Sequence, residues 1–226
     1  NAGHHVLIMD HHKSNMEDPK LGRLHCPQYK NLENILDNKG MWAIFDMNRS
    51  GAGLVWDTLN PKEERPALIN YIEDRDIWKW TEYKSLELNA AIMSHDLTFE
   101  DFDYLAWGLE RDEDFVHLQT EGEALVRKLQ KDVKDLLVIK HMFKIGGFEV
   151  PAVNVPWMLN SDMGNELSKG HPFAATYFDG TTHTVVSLRS QKDGGEDVSV
   201  IAKKYGGGGH KNASSFRMPL GWRGDQ

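Results

Sequence analysis

The stretch Gly206-Gly207-Gly208-Gly209-His210-Lys211-Asn212-Ala213 decides how this chain is read. Four consecutive glycines carry no Cβ, so their backbone reaches φ > 0 and approaches a ligand closely. Successive N–H groups in such a turn form a concave nest that favours anions. Residues 197–205 before it have helical apolar spacing at Val198, Ile201, Ala202 and Tyr205, and residues 214–218 after it read as a strand. One glycine suffices to cap a helix. Four, followed by His210 and Asn212, point to a phosphate or sugar-edge site at Gly207, Gly208 and Gly209. A flexible linker is the plain alternative.

The second landmark lies near the other end. His4-His5-Val6-Leu7-Ile8-Met9 is a short apolar run, followed at once by Asp10-His11-His12. A buried strand that delivers a carboxylate and two imidazoles at its C-terminal end suits the position where α/β sheets bind ligands. Histidine is a common metal ligand, and a neighbouring carboxylate often orients it. Alone, Asp-His-His is a weak match, and a surface turn is its default reading.

Together the two motifs resemble the DHH phosphoesterase superfamily, in the branch that carries a C-terminal DHH-associated domain. The resemblance covers nearly the whole chain. It takes in Asp10-His11-His12, Ser50-Gly51-Ala52, Glu73-Asp74-Arg75-Asp76-Ile77-Trp78, Ser187-Leu188-Arg189-Ser190 and Gly207-Gly208-Gly209-His210, in the family's order. It implies hydrolysis of a phosphodiester with two manganese ions, magnesium being the alternative. His11 and Asp74 are then the metal ligands, with Asp76 as the alternative to Asp74. Asp10 and His12 are catalytic, and Arg189, Gly207, Gly208, Gly209, His210 and Asn212 hold the substrate. The expected substrate is a short oligonucleotide or a small, even cyclic, dinucleotide. The family's upstream metal motifs have no counterpart before Asp10. The expectation is therefore a fragment that begins inside the first domain and is a poor hydrolase by itself. The rival class is a non-catalytic nucleotide- or RNA-binding module.

The resemblance and the residue pattern give one α/β fold class in three parts. Residues 1–97 form an incomplete parallel-sheet domain, residues 98–140 a helical connector, and residues 141–226 a smaller mixed-sheet domain that binds substrate. The active site is expected in the cleft between the two domains. Along the chain, residues 13–29 read as an irregular polar loop broken by Pro19, Gly22 and Pro27. Residues 41–46 read as a strand, Ser50 as the cap of a helix over 51–59, and Pro66 as the start of another. Thr98 and Asp101 suggest a capping box. Leu118, Leu125, Leu129 and Val133 trace an apolar stripe beyond it. Asp179-Gly180 between two apolar runs signals a hairpin.

Composition narrows the partners. The 226 residues carry a net charge of −8, which argues against a non-specific grip on long nucleic acid. A small anionic substrate held by metal ions and a few cations fits better. No apolar run reaches the roughly 20 residues of a membrane span. The single cysteine, Cys26, excludes an intramolecular disulfide and suits a reducing cytoplasm. A homodimer is the candidate assembly.

Overall fold

The computed structural model describes residues 6–26 and 40–226. Its fold is mixed α/β. The chain divides into two compact units, residues 1–129 and 130–226, and the division falls inside the long helix Asp112–Leu136. Among the described residues, no helix is long and apolar enough to cross a membrane.

In the first unit, β1 (Val6–Asp10) pairs in parallel with β2 (Met41–Phe45), placing Asp10 opposite Phe45. A parallel pair needs a long crossover. Its described part is more regular than the expected loop. It holds a short helix, Lys13–Met16, a 3-10 turn, Gly22–Leu24, and a bridge from His25 to Ala43. The strand start at His4 and His5 and the loop's end at residues 27–29 lie outside the described residues. Ser50 caps the helix Gly51–Leu59 by accepting from Gly53 N–H at 2.9 Å. Pro66 precedes the helix Ala67–Asp76. The helix Ser85–Ile92 was not expected from the sequence. Thr98 and Asp101 form the reciprocal capping box of the helix Phe99–Gly108. Leu68, Tyr71, Leu88, Ile92, Leu105 and Leu118 from these helices pack into one buried cluster.

The second unit is built on a sheet whose strand order, among the described residues, is β3-β4-β5-β6-β8-β7. β3 (His141–Ile145) and β4 (Phe148–Asn154) form a hairpin turned by Gly146 and Gly147, both at positive φ. β3 begins directly after the expected helical connector, which ends at Lys140. The helix Asn160–Leu167 carries the crossover from β4 to its parallel neighbour β5 (Ala174–Asp179). β6 (His183–Arg189) and β8 (Ala213–Pro219) continue the sheet, with β7 (Gly208–His210) at its edge.

The two faces of this sheet differ. Ala175, Tyr177, Val186, Leu188 and Phe216 meet Val198, Ile201 and Ala202 of the helix Val198–Lys203 in the buried core. The opposite face carries Thr176, Ser187, Arg189, Ala213, Ser215 and His210, as the strand register dictates. Asn160 donates to Ser187 Oγ at 3.0 Å, so the helix Asn160–Leu167 covers the β5–β6 part of that face.

Candidate functional site

Asp10 ends β1, and its carboxylate turns back over the next five residues. Oδ1 accepts from His11 N–H at 2.8 Å, His12 N–H at 3.3 Å and His12 Nδ1 at 2.7 Å. Oδ2 accepts from Asn15 Nδ2 at 2.7 Å. Burial raises the Asp10 pKa, but these hydrogen bonds outweigh it and hold it at about 2. An ionised carboxylate only accepts, so His12 Nδ1 is the donor of this bond. His11 is buried, packs edge-on against His12 at 4.7 Å, and brings Nε2 to 3.3 Å from Asp76 Oδ2.

The run Glu73-Asp74-Arg75-Asp76 divides its carboxylates among three tasks. Glu73 accepts from Ser50 N–H at 2.8 Å and pairs with Arg65 at 2.8 Å, tying two helices together. Arg49 pairs with Asp57 at 2.6 Å, so the start of the helix Gly51–Leu59 is occupied by the protein's own charges. Asp74, 3% exposed, accepts from Thr81 N–H and Thr81 Oγ1 at 2.9 Å and from Glu82 N–H at 3.3 Å. Burial raises its pKa, yet bonds from Ser85, Thr81 and Glu82 bring it below the usual carboxylate value. Its acceptor capacity is spent on the turn that follows the helix. Trp78 and Trp80 occupy that turn at φ 56°, a left-handed conformation that costs bulky residues about 1–3 kcal/mol each. Asp76, the last residue of its helix, keeps a side chain 44% exposed and faces His11.

In the second unit the strand register sets Arg189 opposite Ala213 and Ala213 opposite His210. Directly opposed residues share a face, so Arg189 and His210 flank a small alanine in one row. Asn212 is committed to the scaffold. Its amide donates to Ser190 Oγ at 3.0 Å and Gln191 O at 2.9 Å, tying the end of β6 to the turn before β8. Arg189 donates to Leu188 O at 2.9 Å and to Ser161 Oγ at 3.0 Å, both neutral. Among the described residues no carboxylate lies within ion-pair distance of it. Burial lowers its pKa, opposed only by the charge of Asp162. A desolvated cation whose carboxylate neighbour, Asp162, lies beyond ion-pair distance is one that an anion would stabilise further.

The glycines differ in their work. Gly206, at φ 76°, and Gly207 send N–H groups to Lys203 O and Ala202 O, closing the preceding helix in a Schellman arrangement. A Cβ on Gly207 would stand 2.1 Å from Ser215 O, and Gly209 holds φ 141°. Gly208 to His210 pair with β8, so the end of the tract is an edge strand where a loop was expected. Gly207→Ala is expected to destabilise the second unit by about 3 kcal/mol through overpacking against backbone. Gly206→Asn, with open space and a tolerated φ, should cost about 1 kcal/mol or less. Urea unfolding of the two variants checks the contrast.

No protein-family model matches the chain. An uncharacterised protein, R106, of Acanthamoeba polyphaga mimivirus is 27% identical over 226 residues, spanning 96% of this chain and 48% of that protein. The chain therefore covers about half the length of this curated relative. Among solved structures, a pGpG-specific phosphodiesterase, PggH from Vibrio cholerae, superposes with a TM-score of 0.45 at 12% identity. That match covers 80% of this chain and 73% of the other.

Proposed function

We propose that this chain belongs to a metal-dependent phosphodiesterase of the DHH type, acting on short oligonucleotides or small dinucleotides. The observation that carries the reading is the cluster at the end of β1, where His11 Nε2 lies 3.3 Å from Asp76 Oδ2 and Asp10 clamps His12 at 2.7 Å. Imidazole and carboxylate donors at this separation fit a divalent ion such as manganese or magnesium. His11 and Asp76 are the residues proposed to hold it, while Asp74 stays on its turn. A bound ion supplies Lewis-acid stabilisation of phosphoryl charge. His12, its ring oriented by Asp10 through Nδ1, is proposed to face the phosphate with its Nε2 side. In the second unit Arg189 supplies a planar cation suited to a phosphate, with His210 in the same row.

Manganese titration of this chain tests the metal assignment. His11→Ala and Asp76→Asn are each expected to weaken binding about 10–100-fold, as loss of a ligand or of its support does. His210→Ala should leave manganese binding unchanged and weaken substrate binding instead. Equal metal loss from His210→Ala would overturn the division of roles.

The substrate class is tested with RNAs of increasing length across a salt range. A compact phosphate site contacts few phosphates, so the salt slope should be shallow against about −0.7 per contacted phosphate on single strands. Efficiency that climbs with length, with a steepening slope, would point to a long basic channel instead. A binding-only module is the second reading. Arg189, whose guanidinium hydrogen-bonds only to neutral oxygens, supports anion binding whether or not hydrolysis follows, and metal-dependent turnover of a dinucleotide separates the two.

A further inference from the structure

Trp157 is 67% exposed and Met158 59% exposed, on a 3-10 turn that runs directly into the helix Asn160–Leu167. Large apolar side chains exposed together on a well-packed unit call for an explanation. The helix below them supplies one. A Cβ on Gly164 would stand 2.7 Å from Arg189 Cγ, so the stem of Arg189 runs beneath Gly164. One turn towards the helix start, Ser161 Oγ receives the guanidinium at 3.0 Å. The arginine therefore points along the helix towards its N-terminus. Trp157 opens the 3-10 turn Trp157–Leu159 that feeds this N-terminus, four residues before Ser161 in the chain. The exposed indole thus stands on the segment towards which the guanidinium points.

We infer that Trp157 is the stacking surface for the base of the nucleotide whose phosphate Arg189 holds. The inference rests on the anion-binding reading of Arg189 and extends it to a nucleobase. Stacking on an aromatic face is tolerant of base identity, so the subsite favours nucleotides over sugar phosphates without selecting one base. Trp157 makes its contribution to affinity, and the phosphodiester chemistry does not pass through it.

The experiment is calorimetric titration of this chain with adenosine 5′-monophosphate and with ribose 5-phosphate, which shares the phosphate and lacks the base. The wild type should bind the nucleotide about tenfold more tightly or better, the usual scale of one stacked base. Trp157→Ala should bind both ligands equally, at the ribose 5-phosphate level. Trp157→Phe should restore most of the preference. An exposed side chain can be replaced without endangering the fold, and an unchanged melting temperature verifies this. A preference that survives Trp157→Ala, or is missing in the wild type, overturns the stacking role while leaving the phosphate site standing. Failure of the wild type to bind either ligand, or unchanged binding by Arg189→Gln, overturns the anion reading and the stacking role with it.

Discussion

On the proposed phosphodiesterase reading, Asp10→Ala is expected to lower metal-dependent turnover by about a hundredfold or more. The carboxylate does three things at once. It accepts two backbone N–H groups, fixes the His12 ring through Nδ1, and anchors Asn15. Removing it frees the His12 ring, so Nε2 no longer points in a set direction. Asp10→Asn should fall nearly as far, because an amide offers no charge to hold Nδ1–H in place. Steady-state turnover of a dinucleotide with manganese, with circular dichroism as the control for folding, reads the effect. Turnover within threefold of wild type would show that His12 needs no orienting carboxylate.

The second large effect is on stability, and it separates two aspartates two residues apart. Asp74→Ala should destabilise the first unit by about 2 kcal/mol, since it removes a buried carboxylate that accepts charge-assisted bonds from Thr81 and Glu82. It also removes what holds Trp78 and Trp80 in their left-handed conformations. Asp76→Ala, at an exposed helix end, should cost less than about 1 kcal/mol. Urea midpoints of the two variants give the comparison. Manganese affinity should follow the opposite order, falling for Asp76→Ala far more than for a folded Asp74→Asn. Equal stabilities would mean that the turn after the helix does not depend on Asp74.

The elements legible in the sequence were those written in local chemistry. Ser50 and Thr98 announce helix starts because their hydroxyls must accept an early N–H. Asp179-Gly180 announces its hairpin because few residues accept that turn. The Asp-His-His motif stood out because a carboxylate and two imidazoles end an apolar strand. Assigning Glu73, Asp74 and Asp76 was beyond the sequence, because their partners are Ser50, Thr81 and His11, at separations from 7 to 65 residues. The strand at Gly208 was hidden because its pairing is entirely with β8, and glycine has no strand propensity of its own. The helix Ser85–Ile92 was hidden because it is apolar on nearly all sides, with Leu88, Ala91 and Ile92 buried together with Asn89. Trp157 gave no signal, since an isolated tryptophan in sequence reads as core.

The register of the second unit's sheet limits which changes its strands accept. In β6 and β8 the odd-numbered residues, such as Ser187, Arg189 and Ser215, lie on the polar face, and the even-numbered Val186, Leu188 and Phe216 lie in the core. Parity thus separates two packed environments along the same strands, one against the helix Val198–Lys203 and one partly beneath the helix Asn160–Leu167. A point substitution at Ser187, which is buried and holds Asn160, disturbs the second and leaves the first intact. A single-residue insertion or deletion exchanges the two sets, sending Arg189 inward and Leu188 outward in one step. These strands therefore accept change one side chain at a time and are frame-locked against changes of length.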